Sequence, residues 1–358
     1  MNPTNLNPSK TSFAFSRRTV TSLLAATLAL SPVVWLAAGR AGASSPSVTT
    51  STKIPAGTTL NIGDQQQFLE NALQDSGALK GVPYKVNFVE FDSGPLVDAG
   101  FAAHQIDLGF MGDLPASLAV QSGLPVKAAA ALLPIGASEY LLAKPGITKI
   151  SQLKGQTVAY TTGTAEQAFA LRALATAGLT QKNVTQVNVS LTQLGTVLQS
   201  GAAVASVVSV EQKVEYQLTH PGAVVLATQD TVKPASYDYL LATTAALANK
   251  AKTAAIDDFI VRLIKSENWV KTHESTYVND YYVKLDHLQA SVANLILKAG
   301  GTSTYVPLNA SEQSALQNVV NLLTSAGAIP KRYSVAALFS ASVSARYNAI
   351  VKANPQNG

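Results

Sequence analysis

The stretch Val158–Gly178, VAYTTGTAEQAFALRALATAG, decides the fold. Val158-Ala159-Tyr160 reads as a buried strand and Thr161-Thr162-Gly163-Thr164 as a tight turn. Gly163 to Ala177 then carries a helical apolar period closed by Gly178, which suits the left-handed position after a helix. A strand, a glycine turn and a helix with no catalytic side chain form half of a β-α-β unit, and they raise the question of what the bare helix start faces. The same grammar runs along the chain. Thr59–Ile62 reads as a strand and Phe68–Gln74 as a helix. YKVNFVEF (Tyr84–Phe91) alternates as a strand, and Gly94-Pro95 opens a helix running to His104. IDLGFMG (Ile106–Gly112) is a third strand, with Asp113-Leu114-Pro115 capping the next helix. VKAAAALL and EYLLAK supply two more strands. Alternation of this kind predicts mainly parallel sheets with helices on both faces.

The pattern restarts after residue 143. SQLKG reads as a short helix, and QTVAY, VTQVNVS, VASVVS and AVVLAT as strands. Helices at Thr192–Gly201 and Val210–His220 separate them, and YDYLLATT follows as a return strand. Two consecutive α/β units predict two lobes, residues 58–142 with 241–358 and residues 143–240. The crossings are expected near Ala143–Gly146 and Ser236–Leu240. Residues 246–357 read as helical, with amphipathic segments near Ile256–Trp269, Ala290–Ala299 and Ser311–Leu323.

Residues 1–43 stand apart. Lys10, Arg17 and Arg18 precede an apolar run, Val20–Ala38, and Ala41-Gly42-Ala43 follows. That order is the pattern of a secretory signal peptide cleaved before Ser44, and the polar residues within the run argue against a membrane anchor. Ser16-Arg17-Arg18-Thr19-Val20 also resembles a twin-arginine export signal. Residues 44–57 read as a flexible linker. The export segment holds four bases and no acid, so residues 44–358 carry 22 bases against 21 acids. The overall charge of +5 therefore belongs to export, and nucleic acid is not an expected partner. The chain has no cysteine, which excludes disulfides, thiolate nucleophiles and a lipid-bearing cysteine. A periplasmic location and a monomer are expected.

Catalytic motifs are missing. Gly136-Ala137-Ser138 begins a nucleophile elbow, but Tyr140 stands where the second glycine belongs. No phosphate-binding glycine motif occurs, and His104, His220, His273 and His287 lie apart. Neither a metal nor another cofactor is expected, nor is an enzyme. What remains are turns at the carboxyl ends of strands, where open α/β sheets bind ligands. They are Asp64-Gln65-Gln66, Ser93-Gly94 after Asp92, Gly112-Asp113, Thr161-Thr162-Gly163-Thr164 with Ala165, and Ser209-Val210-Glu211. Glu139 and Tyr237, near the two crossings, complete the candidate set. Several of these turns start helices, whose unpaired N–H groups and dipole suit an anion.

At these residues the chain resembles the periplasmic solute-binding proteins of ABC importers for aliphatic sulfonates, taurine and nitrate. The resemblance lies in LNIGDQQ, in VEFDSGPLVDAGFAAHQIDLGFMGDLPAS, in ITKISQLKGQTVAYTTGTAEQAFALRALATAGL and in AIPKRYSV. It implies a two-lobed type II binding-protein fold that closes on a small organosulfur solute and presents it to a permease and ATPase. It also implies that Gly163-Thr164-Ala165 form the helix start that holds sulfonate oxygens in relatives. The chain departs from the pattern at Val204–Gln212, which lacks the family's tryptophan and proline, and at Glu166, where relatives have serine. Glu139, Glu166 and Glu211 near one cleft would repel a plain dianion; they could instead pair with a cationic group on the solute or point outward. A receptor for nitrate or for a zwitterionic amine is the alternative, and a desulfinase-like or pyrimidine-precursor synthase-like enzyme a more distant one. Those enzymes rely on cysteine and histidine chemistry, and this chain has no cysteine.

Overall fold

The computed structural model describes residues 53–356 apart from 137, 234, 235 and 300; the expected signal segment and most of the linker lie outside the described residues. Eleven strands follow in chain order: β1 (Thr59–Asp64), β2 (Lys85–Glu90), β3 (Leu108–Gly112), β4 (Val126–Ile135), β5 (Tyr140–Ala143), β6 (Thr157–Ala159), β7 (Thr185–Val187), β8 (Ala205–Val208), β9 (Val224–Thr228), β10 (Asp238–Thr243) and β11 (Thr302–Val306). They form two sheets, ordered β11-β4-β10-β3-β1-β2 and β7-β6-β8-β5-β9. Helices flank both, giving the two-lobed α/β architecture. Among the described residues no helix is long and apolar enough to cross a membrane.

The β-α-β pattern predicts mainly parallel pairing, and the sheets are mixed. β1 lies parallel to β2 and β3, and β6 parallel to β7 and β8. β10 and β5 each run antiparallel to both neighbours. Each of these two enters its sheet from the other lobe, so no crossover helix constrains its direction.

The first crossing also differs from expectation. β5 pairs with β8 and β9 in the second sheet, so the chain changes lobes between β4 and β5 at 136–139, and not at Ala143–Gly146. It returns between β9 and β10, and β10 pairs wholly within the first sheet. Both β4 and β5 are apolar and buried, so hydropathy alone cannot assign either to a sheet. β11 corrects the reading of residues 246–357 as helical: Thr302–Val306 pairs antiparallel with β4. Its threonines and tyrosine suit a pleated strand.

The first core gathers Leu60, Ile62, Leu108 and Tyr239 from the sheet with Ile256, Phe259 and Leu263 from the 23-residue helix Lys250–Thr272. The second gathers Leu141, Val158, Val207 and Phe169. Helix Ala310–Ala326 belongs to both, with Leu316 and Val320 in the first core and Val319, Leu323 and Ala326 in the second. One helix thus packs against both lobes.

Candidate functional site

The helix starts at the carboxyl ends of β1, β3, β6 and β8 converge on a cavity of about 300 Å³ between the sheets. Of the residues singled out in the sequence, Gln65, Gln66, Gly94, Gly112, Glu139, Thr164, Ala165, Glu166, Ser209 and Glu211 line it. Gln65 donates its side-chain amide to the Phe110 carbonyl at 2.8 Å, which holds the first turn against β3. Gln66 adopts a left-handed φ of 55°, uncommon for a residue with a side chain. Thr164 is buried, and its hydroxyl donates to the Thr161 carbonyl at 2.8 Å, closing the turn before the helix Ala165–Thr176.

Gly112 and Ala165 bring the lobes into contact. A Cβ on Gly112 would stand 2.6 Å from the Ala165 Cβ, so only glycine permits this approach. Behind it, Asp113 and Arg172 form a buried ion pair between lobes at 2.8 Å, and the Ser236 hydroxyl donates to the same carboxylate oxygen at 2.7 Å.

The remaining candidates lie off the cavity. Asp64 is fully buried, and its carboxylate accepts the N–H groups of Gln65, Leu69 and Glu70. It caps the helix Phe68–Asp75 from inside, and burial outweighs these donors to push it up to about 7. Ser93 is the N-cap of the helix Gly94–Ala102. Asp113 serves the ion pair. Thr161 donates its hydroxyl to the Val189 carbonyl at 2.8 Å, and the Thr162 N–H donates to Asn188 at 2.9 Å, so both turn toward the segment after β7. Gly163, at φ 81°, packs near Pro95 of the other lobe, where a Cβ would approach to 3.1 Å. Its close approach is to protein. Tyr237 packs against the first core.

The electrostatics set the chemistry. Four carboxylates line the cavity, from Glu139, Glu166, Glu211 and Asp238, and no lysine, arginine or histidine does among the described residues. Burial, followed by the charge of Glu166, holds Glu139 well above the usual carboxylate range; the Gln229 amide donates to it at 3.0 Å. Burial, then the charges of Asp113 and Glu166, raises Asp238 to about 8. Burial also raises Glu166 and Glu211, against the opposing effect of the Thr164 and Ser209 hydroxyls on the respective carboxylates. Both acids stand in the first turns of their helices, Ala165–Thr176 and Val210–Thr219, where the helix dipole favours a negative charge. The Ser209 hydroxyl donates to Glu211 and fixes it there.

Sequence reasoning missed Asp238, Phe68, Phe110, Gln229 and Tyr281 on this wall. Asp238 had a signal, an acid opening an otherwise apolar return strand. Tyr281 comes from a helical segment over 200 residues beyond the first turn, and no local pattern places it here.

No curated protein matches the sequence. Among solved structures, the fold is similar to an alkanesulfonate-binding protein from Xanthomonas axonopodis pv. citri bound to MOPS. That match has 21% identity and a TM-score of 0.70, over 80% of this chain and 99% of that one. The periplasmic aliphatic sulphonate binding protein of Escherichia coli matches at 22% identity and a TM-score of 0.67, over 80% and 92%. A mutant of DszB in complex with biphenyl-2-sulfinic acid matches at 12% and 0.58, over 82% and 99%. These likenesses establish the fold. The family model described as NMT1/THI5 like matches residues 85–273, more than half of the chain. The chain belongs to the NMT1/THI5-like family.

Proposed function

We propose that this protein is an extracytoplasmic solute receptor of an ABC importer that closes its two lobes on a small solute and delivers it to a membrane permease. The two-lobed fold shared with sulfonate-binding proteins and the cavity built from helix starts of both lobes support this reading. The non-enzyme reading is supported by the likeness to sulfonate-binding transport proteins.

The observation that favours one solute class is the set of four carboxylates lining the cavity with no lining cation among the described residues. A plain sulfonate or nitrate would find no lining cation and would oppose ionisation of these four acids. A protonated amine would meet compensating charge. The solute therefore carries an ammonium group, either alone or in a zwitterion such as an aminosulfonate, whose anionic end would face the first-lobe turns at Gln65 and Gly94.

Thermal-shift screening followed by isothermal titration at pH 7.5 tests this, with taurine, alkylamines, ethanesulfonate and nitrate as the panel. An amine-bearing member should bind with a micromolar Kd, about −8 kcal/mol. Binding of ethanesulfonate or nitrate alone would overturn the solute class. A shift from no member would overturn the receptor reading.

A further inference from the structure

Beside this cavity lies a second chamber of about 280 Å³. Gln66, Phe68, Ser209, Glu211 and Tyr281 border both chambers, so a single layer of side chains stands between them. The far wall has a different character: Tyr277, Tyr282, Val270, Val278, Ile296 and Leu297 line it. The tyrosines form a connected set. Tyr277 stacks on Tyr281 with centroids 5.7 Å apart, and Tyr282 meets Tyr281 edge-on at 4.9 Å. On the shared side Phe68 stacks on Phe110 at 5.3 Å.

Two features hold this wall in place. Residues Asn279–Leu285 form a π-helix, a rare geometry that concentrates at functional sites. Its wide turn puts the consecutive Tyr281 and Tyr282 on the same chamber. The Tyr281 hydroxyl donates to the Gln66 carbonyl at 2.7 Å, tying the C-terminal segment to the turn after β1. That turn holds two successive left-handed residues, Gln66 and Gln67. Two acids, Glu267 and Glu274, line the far side, and Glu267 accepts the Ser303 N–H at 2.8 Å. No lysine, arginine or histidine lines this chamber among the described residues.

A solute confined to the first chamber would leave this aromatic wall to water. We propose that the solute is elongated, with its ammonium among the carboxylates of the first chamber and a planar hydrocarbon portion between the tyrosines and Phe68 in the second. This rests on the amine reading above for the head group only; the ring subsite stands on the second chamber. Glu211 borders both chambers, and aromatic faces add attraction for an adjacent cation.

Isothermal titration of the full chain tests it with two matched pairs: phenethylamine against ethylamine, and benzenesulfonate against ethanesulfonate. Phenethylamine should bind about tenfold or more tighter than ethylamine. In Ala72→Phe, whose ring would fill the second chamber, the ratio should fall toward one, with the melting temperature reporting that the variant folds. Equal affinities for the two amines in the unsubstituted protein would overturn the ring subsite and leave the amine reading standing. If only the sulfonates bind, the head-group reading fails, and the ring subsite then stands or falls on whether benzenesulfonate is the tighter of its pair. Silence from all four would overturn both.

Discussion

Gly112→Ala tests whether contact between the lobes is part of solute capture. The added Cβ would stand 2.6 Å from the Ala165 Cβ, where carbon atoms normally rest about 3.5–4.0 Å apart. Neither atom can rotate away, since both are fixed to backbone, so β3 and the helix Ala165–Thr176 must separate by about 1 Å. Gly112 has φ −72° and ψ 178°, an extended conformation that alanine adopts freely, so the substitution acts through this contact and not through backbone strain. Overpacking of this kind costs about 1–3 kcal/mol. The cost falls on the closed arrangement alone, because separated lobes leave the new methyl in solvent. The solute should therefore bind about 5- to 150-fold more weakly. Titration with the tightest panel member measures the affinity, and small-angle scattering should show a larger radius of gyration without solute. Gly94→Ala is the contrast: its Cβ would strike Pro115 of the same lobe at 2.4 Å, so it should lower the melting temperature. An unchanged affinity and radius in Gly112→Ala would refute closure at this contact.

The raised acids give a signed pH dependence. Asp64 and Glu267 at about 7 and Asp238 at about 8 hold protons in the folded chain that the unfolded chain releases near pH 4, so the free protein should lose stability progressively as pH rises from about 4 to 8. A melting temperature that is flat or rising across that range would contradict the burial of these groups. An amine should bind more tightly as pH rises through the same window and should release protons at pH 7, read from the buffer dependence of the binding enthalpy. Asp238→Asn should weaken an amine about 10- to 100-fold by removing one charge-assisted partner, and should leave a plain sulfonate bound no worse. Arg172→Met, which strands the Asp113 carboxylate in a buried site, should cost about 3–5 kcal/mol of stability in chemical denaturation. Restoring most of that loss with Asp113→Leu in the same chain would identify the pair as the source.

Much of the fold was legible because it rests on local signals. Gly178 at φ 70° closes the helix after β6, as its position after an apolar period requires. The segments near Ile256–Trp269, Ala290–Ala299 and Ser311–Leu323 lie in helices Lys250–Thr272, Ala290–Ala299 and Ala310–Ala326. Strand direction was not legible. β5 and β10 look like any buried strand, and only their entry from the opposite lobe sets them antiparallel. In the site, the turns were found because they follow strands, yet which side chains face the cavity depends on bonds the sequence does not announce. Asp64 reads as a ligand-turn acid and is instead consumed by three backbone N–H groups. Thr161 and Thr162 look like donors for a solute and are held by the segment after β7. The oddity at Glu166 was visible from the start. Its company in the cavity, with Glu139, Glu211 and Asp238, needed the geometry.

Native mass spectrometry of the protein purified without unfolding tests the central claim most directly, because it reads whatever solute the cleft has kept. The account predicts a bound mass that fits a nitrogen-bearing cation or zwitterion, lost on Asp238→Asn. A retained plain sulfonate, or any bound anion without an amine that survives this substitution, would contradict it.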